Sequence, residues 1–296
     1  MSEFIKPFIK WVGGKTQIIH QVTNTFPTHI HNYHEPFLGG GSVLLAILSL
    51  KKQGKLSITG NIYASDINIP LINTYISIQS NIKELITEIK KYLHIYNNCS
   101  GEVVNRNPQS IHDATSSKES YYYWLRNTFN NIDKNSIKSS ALFIILNKLC
   151  FRGIYREGPN GFNVPYGHYK NPSVIDETHL YIISDLIKDV KFMVKPFQSS
   201  LQNINVDDFV YIDPPYAPET SKSFVKYNKE GFGLDQHKSL FNILTKSKFK
   251  FVMSNSNVQL VLDNFANYSI QEIMCKRRVN SKKPQSTTTE VLIYNF

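Results

Sequence analysis

The apolar run Val210-Tyr211-Ile212 ends abruptly in Asp213-Pro214-Pro215-Tyr216. Such a run reads as a buried strand, and the two prolines after it leave the backbone few choices. Proline fixes φ at roughly −65° and has no N–H for a sheet ladder, while the residue before a proline is pushed to an extended conformation. The strand must therefore stop at Asp213 and pass into a rigid, extended loop. That loop holds a carboxylate and an aromatic ring in fixed relative position with little entropy left to lose. The plainer reading is a strand end with a capping aspartate, and the rest of the chain has to decide between the two.

An α/β rhythm surrounds this strand. Tyr33-His34-Glu35 is followed by Pro36-Phe37-Leu38-Gly39-Gly40-Gly41-Ser42 and then by the apolar stretch Val43 to Leu48. Strand, glycine turn and helix in that order open a nucleotide-binding βα unit. Glycines let backbone approach a ligand closely, and a helix N-terminus favours negative charge. A second strand is expected over 58–64, with Asp66 at its end, placed to bind ribose hydroxyls. Further strands are expected over 191–195, 209–213, 249–254, 268–275 and 290–296, and helices over 177–190 and 235–247. Near the start, Lys10-Trp11-Val12-Gly13-Gly14-Lys15 lacks the four-residue spacer of a Walker phosphate loop. An ATP site is set aside there; a Trp and a Lys flanking a glycine turn would cradle a ring and a carboxylate.

Residues 70–175 have another texture. A helix is expected over 70–97, where Ile72, Ile76, Ile82, Leu85, Ile86, Ile89 and Leu93 recur mostly at three- and four-residue steps. A loop is expected over 98–118, then helices over 119–131 and 137–150. Tyr121, Tyr122, Tyr123 and Trp124 in the first of these read as core rather than as a platform for bases. From Phe151 to Gly167, Gly, Pro and Asn alternate with aromatics and with Arg152 and Arg156, which suggests an irregular hairpin. An arginine on a projecting loop can pair bidentately with guanine O6 and N7, or simply bond its own loop backbone. The simplest layout is one α/β domain, 1–69 and 176–296, interrupted by a mainly helical insertion over 70–175.

Composition narrows the partners. Thirty-three Lys and Arg against 23 Asp and Glu give a net charge of +10 and a pI near 9.3, which favours an anionic partner, most simply nucleic acid. The segment from Lys276, with Arg277 and Arg278, reads equally as a solvated turn or a phosphate-contacting edge. No long uncharged apolar span is present, so no transmembrane helix is expected, and the first residues lack the apolar core of a signal peptide. Cys99, Cys150 and Cys275 fit neither a disulfide framework nor a zinc site, pointing to a reducing compartment and no metal.

Taken in order, these segments resemble the Dam-type DNA adenine-N6 methyltransferases, the D12 class, across almost the whole chain. The resemblance is carried by Lys10 to Lys15, Glu35 to Ser42, Ala64 to Asn68, Phe162 to Gly167, Asp213 to Tyr216, Ser254-Asn255 and the acidic-apolar strand from Glu290. It implies an α/β fold with a Rossmann-like S-adenosylmethionine-dependent methyltransferase sheet. The mainly helical insertion would be a target-recognition domain with a DNA-contacting hairpin at about 151–168. S-adenosylmethionine is the implied cofactor, bound by Trp11, Lys15, Asp66 and Asp213, with Phe37, Gly39 and Gly41 beside it. Asp213, Pro214, Pro215 and Tyr216 are the implied catalytic residues. The adenine amine would bond to the Asp213 carboxylate and the Pro214 carbonyl, with Tyr216 stacked on a base flipped out of the duplex.

Double-stranded DNA is the implied partner, contacted by Lys10, Arg152, Gly153, Ile154, Arg156, Asn163, Pro165, Arg277 and Arg278. Arg156 matches the family's guanine-reading arginine, and Lys10 a lysine that helps read the site. Family members that methylate GATC usually carry Asn where this chain has Arg152, so the run looks closer to the CATG-specific branch. CATG is expected first and GATC next. A cognate restriction endonuclease and a cytoplasmic setting, bacterial or viral, go with this reading. Two rivals remain. One is an amino-methyltransferase acting on RNA or protein glutamine, which generally lacks the Lys-Trp-x-Gly-Gly-Lys start and this insertion. The other is a non-catalytic DNA-binding relative, opposed by the intact Asp213 to Tyr216 motif.

Overall fold

The computed structural model describes residues 3–218, 232–276 and 287–296. Among these, seven strands form one sheet: β1 (Tyr33–Glu35), β2 (Ile62–Asp66), β3 (Val190–Val194), β4 (Phe209–Ile212), β5 (Lys250–Ser256), β6 (Ser269–Lys276) and β7 (Thr287–Tyr294). Their order is β6-β7-β5-β4-β1-β2-β3. The five strands β1 to β5 run parallel, and β7 is antiparallel to both β5 and β6. From the β3 edge the order 3-2-1-4-5 is that of a doubly wound sheet, and it reverses direction between β1 and β4. Ligands of such sheets bind beyond the carboxyl ends of the strands at that reversal. β1 ends at Glu35 and β4 at Ile212, so Pro36 and Asp213 begin the loops at that place.

The chain divides into two compact units. One comprises residues 15–38, 46–67 and 189–296 and carries the whole sheet; the other comprises 1–14, 39–45 and 68–188 and is mainly helical. In the sheet unit, β4 is buried along its full length, as a parallel strand covered on both faces must be. Val210 and Ile212 pack in a cluster with Phe241, Phe251, Phe265, Val291 and Ile293. The Tyr211 hydroxyl, buried at β4, bonds the Ser254 hydroxyl on β5 at 2.7 Å, so the strand's one polar tip is satisfied.

The strand expected over 58–64 is two strands. Ser57–Ile58 pairs with His29–Ile30 in a separate parallel ladder, and β2 starts only at Ile62. Gly60 makes the break: its N–H bonds the His31 carbonyl at 2.8 Å, and a side chain there would sit 2.3 Å from Asn32 Oδ1.

The helical unit contains Ile69–Ser80, Ile82–Asn98, Lys118–Asn131, Ile137–Leu149 and Glu177–Leu186. Asn68, Ser117, Ser136 and Asp176 cap four of these N-termini through side-chain oxygens, each satisfying a backbone donor that the helix cannot. The single helix expected over 70–97 breaks at Asn81 (φ −136°, ψ 35°). Serine and asparagine compete for backbone hydrogen bonds, and Ser80-Asn81 falls where the apolar spacing changes step. The expected loop over 98–118 includes a helical turn, Ile111–Ala114, and the helix expected to reach 190 stops at Leu186, before β3. Tyr121, Tyr122 and Tyr123 are buried, as core residues.

Candidate active site

β4 delivers Asp213-Pro214-Pro215-Tyr216 out of the core, and β5 holds the loop there. Buried Asn255 accepts the Ala217 N–H at 3.1 Å through Oδ1, and the Ser256 hydroxyl donates to the Ala217 carbonyl. The Lys15 ammonium meets Asp213 Oδ2 at 2.7 Å, with the lysine 3% exposed and the carboxylate 19%. The same ammonium lies 4.9 Å from the centre of the Tyr216 ring, within cation–π range. The Tyr216 hydroxyl donates to Glu290 Oε2 at 2.7 Å.

Burial pushes the Asp213 carboxyl up to about 6; Lys15 pulls against this and Glu290 adds to it. The group is therefore ionised at neutral pH, yet closer to titrating than an ordinary aspartate. Nearby Glu35, at the end of β1, is pushed up to about 8 by burial, with the Tyr33 hydroxyl bond at 2.7 Å opposing and Asp213 reinforcing. Both carboxyls of the sheet unit are thus pushed up, Glu35 further than Asp213. Burial also raises the Cys275 thiol to about 11, helped by Glu290, so it is a neutral neighbour of that carboxylate.

The predicted cofactor residues are distributed over both units. In the sheet unit, half-buried Asp66 ends β2, its carbonyl bonded by Lys195 N–H at 3.1 Å. Phe37 stacks on Phe197 at 5.4 Å at the edge of the apolar cluster. In the helical unit, Gly39 and Gly41 have φ of +48° and +67°, a region most side chains avoid. The Trp11 indole lies against this turn, where a Cβ at Gly39 would come within 2.9 Å of its Cδ1 and Nε1. Tyr155 stacks on the same indole at 5.8 Å.

The predicted DNA contacts gather around the hairpin of Glu157–Gly158 and Gly161–Phe162. Arg156 Nε donates to Asn163 Oδ1 at 2.7 Å, and Asn163 N–H returns to the Arg156 carbonyl at 3.1 Å. The Pro165 carbonyl accepts the Phe151 N–H at 2.8 Å, and half-buried Ile154 accepts the Cys150 thiol at 3.4 Å through its carbonyl. Arg152 is exposed with φ 58°. Lys10 and Gly153 are joined: buried Asn147 accepts the Lys10 N–H at 2.9 Å and donates to the carbonyls of Lys10 at 2.8 Å and Gly153 at 3.2 Å. A Cβ at Gly153 would collide with the Lys10 side chain at 2.5 Å. Arg277 and Arg278 lie outside the described residues.

Two site residues escaped the sequence reading as such. Asn147 follows directly on the apolar run Ala141 to Leu146 of the helix Ile137–Leu149, and that change of texture was the available signal. Glu290 is the acid within Thr287–Tyr294; it served as a motif landmark without a role. Among the described residues, no group of three or more His, Cys, Asp or Glu could hold a metal ion, and no helix is long and apolar enough to cross a membrane.

A family model described as D12 class N6 adenine-specific DNA methyltransferase matches residues 11–279. The chain is 34% identical to the Type II methyltransferase M.MjaIII of Methanocaldococcus jannaschii over 99% of both proteins. It is 31% identical to the Type II methyltransferase M1.LlaDCHI of Lactococcus lactis subsp. cremoris, over 99% of this chain and 96% of that one. A DNA adenine methylase of Haemophilus influenzae shares 26% identity over 98% of this chain and 93% of its own.

Proposed function

Because the chain belongs to the D12 class N6 adenine-specific DNA methyltransferases, we propose that it flips one adenine from a short palindromic duplex site and methylates it from S-adenosylmethionine at Asp213-Pro214-Pro215-Tyr216. The observation that carries this reading is the Lys15–Asp213 pair with Tyr216 beside it, at the carboxyl end of β4 where the sheet order reverses. S-adenosylmethionine would supply the methyl group as a sulfonium. The residues suit it: Asp66 ends β2, a position suited to ribose hydroxyls, and the absence of a Cβ at Gly39 lets the Trp11 ring lie directly against the glycine turn. Lys15, Phe37, Gly41 and Asp213 complete the proposed set.

The adenine amine is a poor nucleophile because its lone pair is delocalised into the ring. Lys15 engages Oδ2 of Asp213, so Oδ1 and the Pro214 carbonyl are the acceptors for the two amine protons. Bonding both favours a pyramidal nitrogen and frees the lone pair. The amine becomes acidic only as the methyl arrives, and a carboxylate with a pKa of about 6 is then a sufficient acceptor. Flipping costs a few kcal/mol, and stacking on Tyr216, worth about 1–3 kcal/mol per base, offsets much of it.

Recognition is assigned to Lys10, Arg152, Gly153, Ile154, Arg156, Asn163 and Pro165, with Arg277 and Arg278 contacting phosphates. Asn163 occupies Arg156 Nε, which leaves the fork of two terminal amino groups for guanine O6 and N7. Arg152 bears on the site in an unexpected way. Its φ of 58° is a left-handed conformation that asparagine tolerates better than most side chains. CATG remains the favoured site, with GATC next. The names of two relatives, both Type II, support a cognate endonuclease as partner.

Transfer of labelled methyl groups to duplex DNA, RNA and protein tests the reading. Incorporation into DNA adenine within CATG or GATC duplexes is expected, and labelling of RNA or protein alone would overturn it.

A further inference from the structure

We propose that Glu290 is the positioning residue of Tyr216: its carboxylate pins the phenol, so that Lys15 backs one face of the ring and the other face is presented to the target adenine. This rests on the reading of Tyr216 as the stacking platform. Glu290 sits on β7, opposite Ser256 of β5 and Ile273 of β6. Three contacts from β5 and β7 then secure two consecutive residues of the loop. Asn255 takes the Ala217 N–H, Ser256 its carbonyl, and Glu290 the Tyr216 hydroxyl at 2.7 Å.

A tyrosine side chain has two torsions, and fixing its hydroxyl to a strand removes most of that freedom before any base arrives. Preorganisation of this kind lowers the entropic cost of binding. Lys15, 4.9 Å from the ring centre, excludes a base from its own side. The antiparallel strand β7 thereby acquires a task in the chemistry as well as in the sheet.

Glu290 is also electrically coupled to the site. The groups facing Asp213 are Lys15, which pulls its pKa down, Glu290, which pushes it up, and Glu35, Tyr211 and Tyr216, whose own ionisation Asp213 opposes. Neutralising Glu290 while keeping its shape should therefore lower the pH at which Asp213 protonates. That shift reads the charge of Glu290, whereas its hold on the Tyr216 hydroxyl is read from the transfer rate and the flipping signal.

Single-turnover transfer, with 2-aminopurine fluorescence at the target position as a flipping signal, tests the proposal on Tyr216→Ala, Tyr216→Phe, Glu290→Ala, Glu290→Gln and the Phe/Ala double variant. Tyr216→Ala should be strongly impaired. Glu290→Ala should slow transfer on the order of 10- to 100-fold, the worth of a hydrogen bond to a charged group, with KM for S-adenosylmethionine unchanged. Glu290→Gln, whose amide oxygen still accepts the phenol proton, should recover most of the rate and shift the acid limb to lower pH. The double variant should be no slower than the slower single. If Tyr216→Ala is impaired while Glu290→Ala or Tyr216→Phe matches the unaltered enzyme, the Glu290 role is overturned and the platform stands. Full activity in Tyr216→Ala overturns the platform itself, and the role of Glu290 with it.

Discussion

Lys15 and Asp213 meet at 2.7 Å in an ion pair whose lysine is the more deeply buried partner. Breaking a buried pair from one side leaves an uncompensated charge and typically costs about 3–5 kcal/mol. Asp213→Ala should therefore lose both transfer and stability of that order in urea unfolding. Replacing both residues, as Lys15→Met with Asp213→Asn, should restore the stability without the activity. If Asp213→Ala unfolds like the unaltered protein, the pair carries no such charge burden.

The same pair fixes a pH dependence. Lys15 holds the Asp213 pKa below what burial alone would give, and the net value is about 6. Transfer should fall as pH drops through roughly 6, and in Lys15→Gln the acid limb should move upward. A limb unmoved by that change would exclude Asp213 as the titrating group.

Glu35 makes a prediction about stability rather than rate. Its carboxyl moves from the ordinary 4.5 to about 8 on folding. Between those values the unfolded chain has released a proton that the folded protein keeps, so stability falls as pH rises from roughly 4.5 to 8 and then levels off. Glu35→Gln keeps an acceptor for the Tyr33 hydroxyl and removes the titration. Its stability advantage, read from thermal unfolding at several pH values, should grow across that window. A difference independent of pH would contradict the assignment.

Gly39 and Gly54 separate backbone strain from cofactor access. Both have positive φ, but an added Cβ meets Trp11 at Gly39 and nothing at Gly54. Gly54→Ala should lose about 1–2 kcal/mol of stability to the left-handed conformation, and Gly39→Ala more, because its Cβ must also displace the Trp11 ring. Calorimetry should show weakened S-adenosylmethionine binding only for Gly39→Ala. Equal affinities would remove the turn from the cofactor site.

Asn147 ties the backbone of Lys10 to that of Gly153, joining two segments assigned to reading the same site. Asn147→Asp keeps the acceptor for Lys10 N–H but loses both donated bonds. Discrimination between the cognate site and single-base variants should shrink by about 1–3 kcal/mol, the worth of one base contact. Unchanged discrimination would confine Asn147 to holding the fold.

Much of this was legible in the chain. The strand β4 and its loop were legible because prolines admit only one kind of continuation, and the end of β2 because an acid closes an apolar run. Local chemistry decided those places. The break at Gly60 was missed because it depends on Asn32, which approaches from an earlier segment. The roles of Glu290 and Asn147 are likewise long-range: nothing near Glu290 in sequence announces Tyr216, and periodicity sees Asn147 only as an interruption. The left-handed backbone at Arg152 could not be inferred from an arginine, whose side chain drew the reading toward base contact.

The most direct test of Asp213 as the amine acceptor is single-molecule sequencing of DNA from a methylation-free host expressing either the unaltered chain or Asp213→Asn. N6-methyladenine confined to one short palindrome is expected with the unaltered chain, and none with the folded variant. Equal methylation by Asp213→Asn would contradict the account.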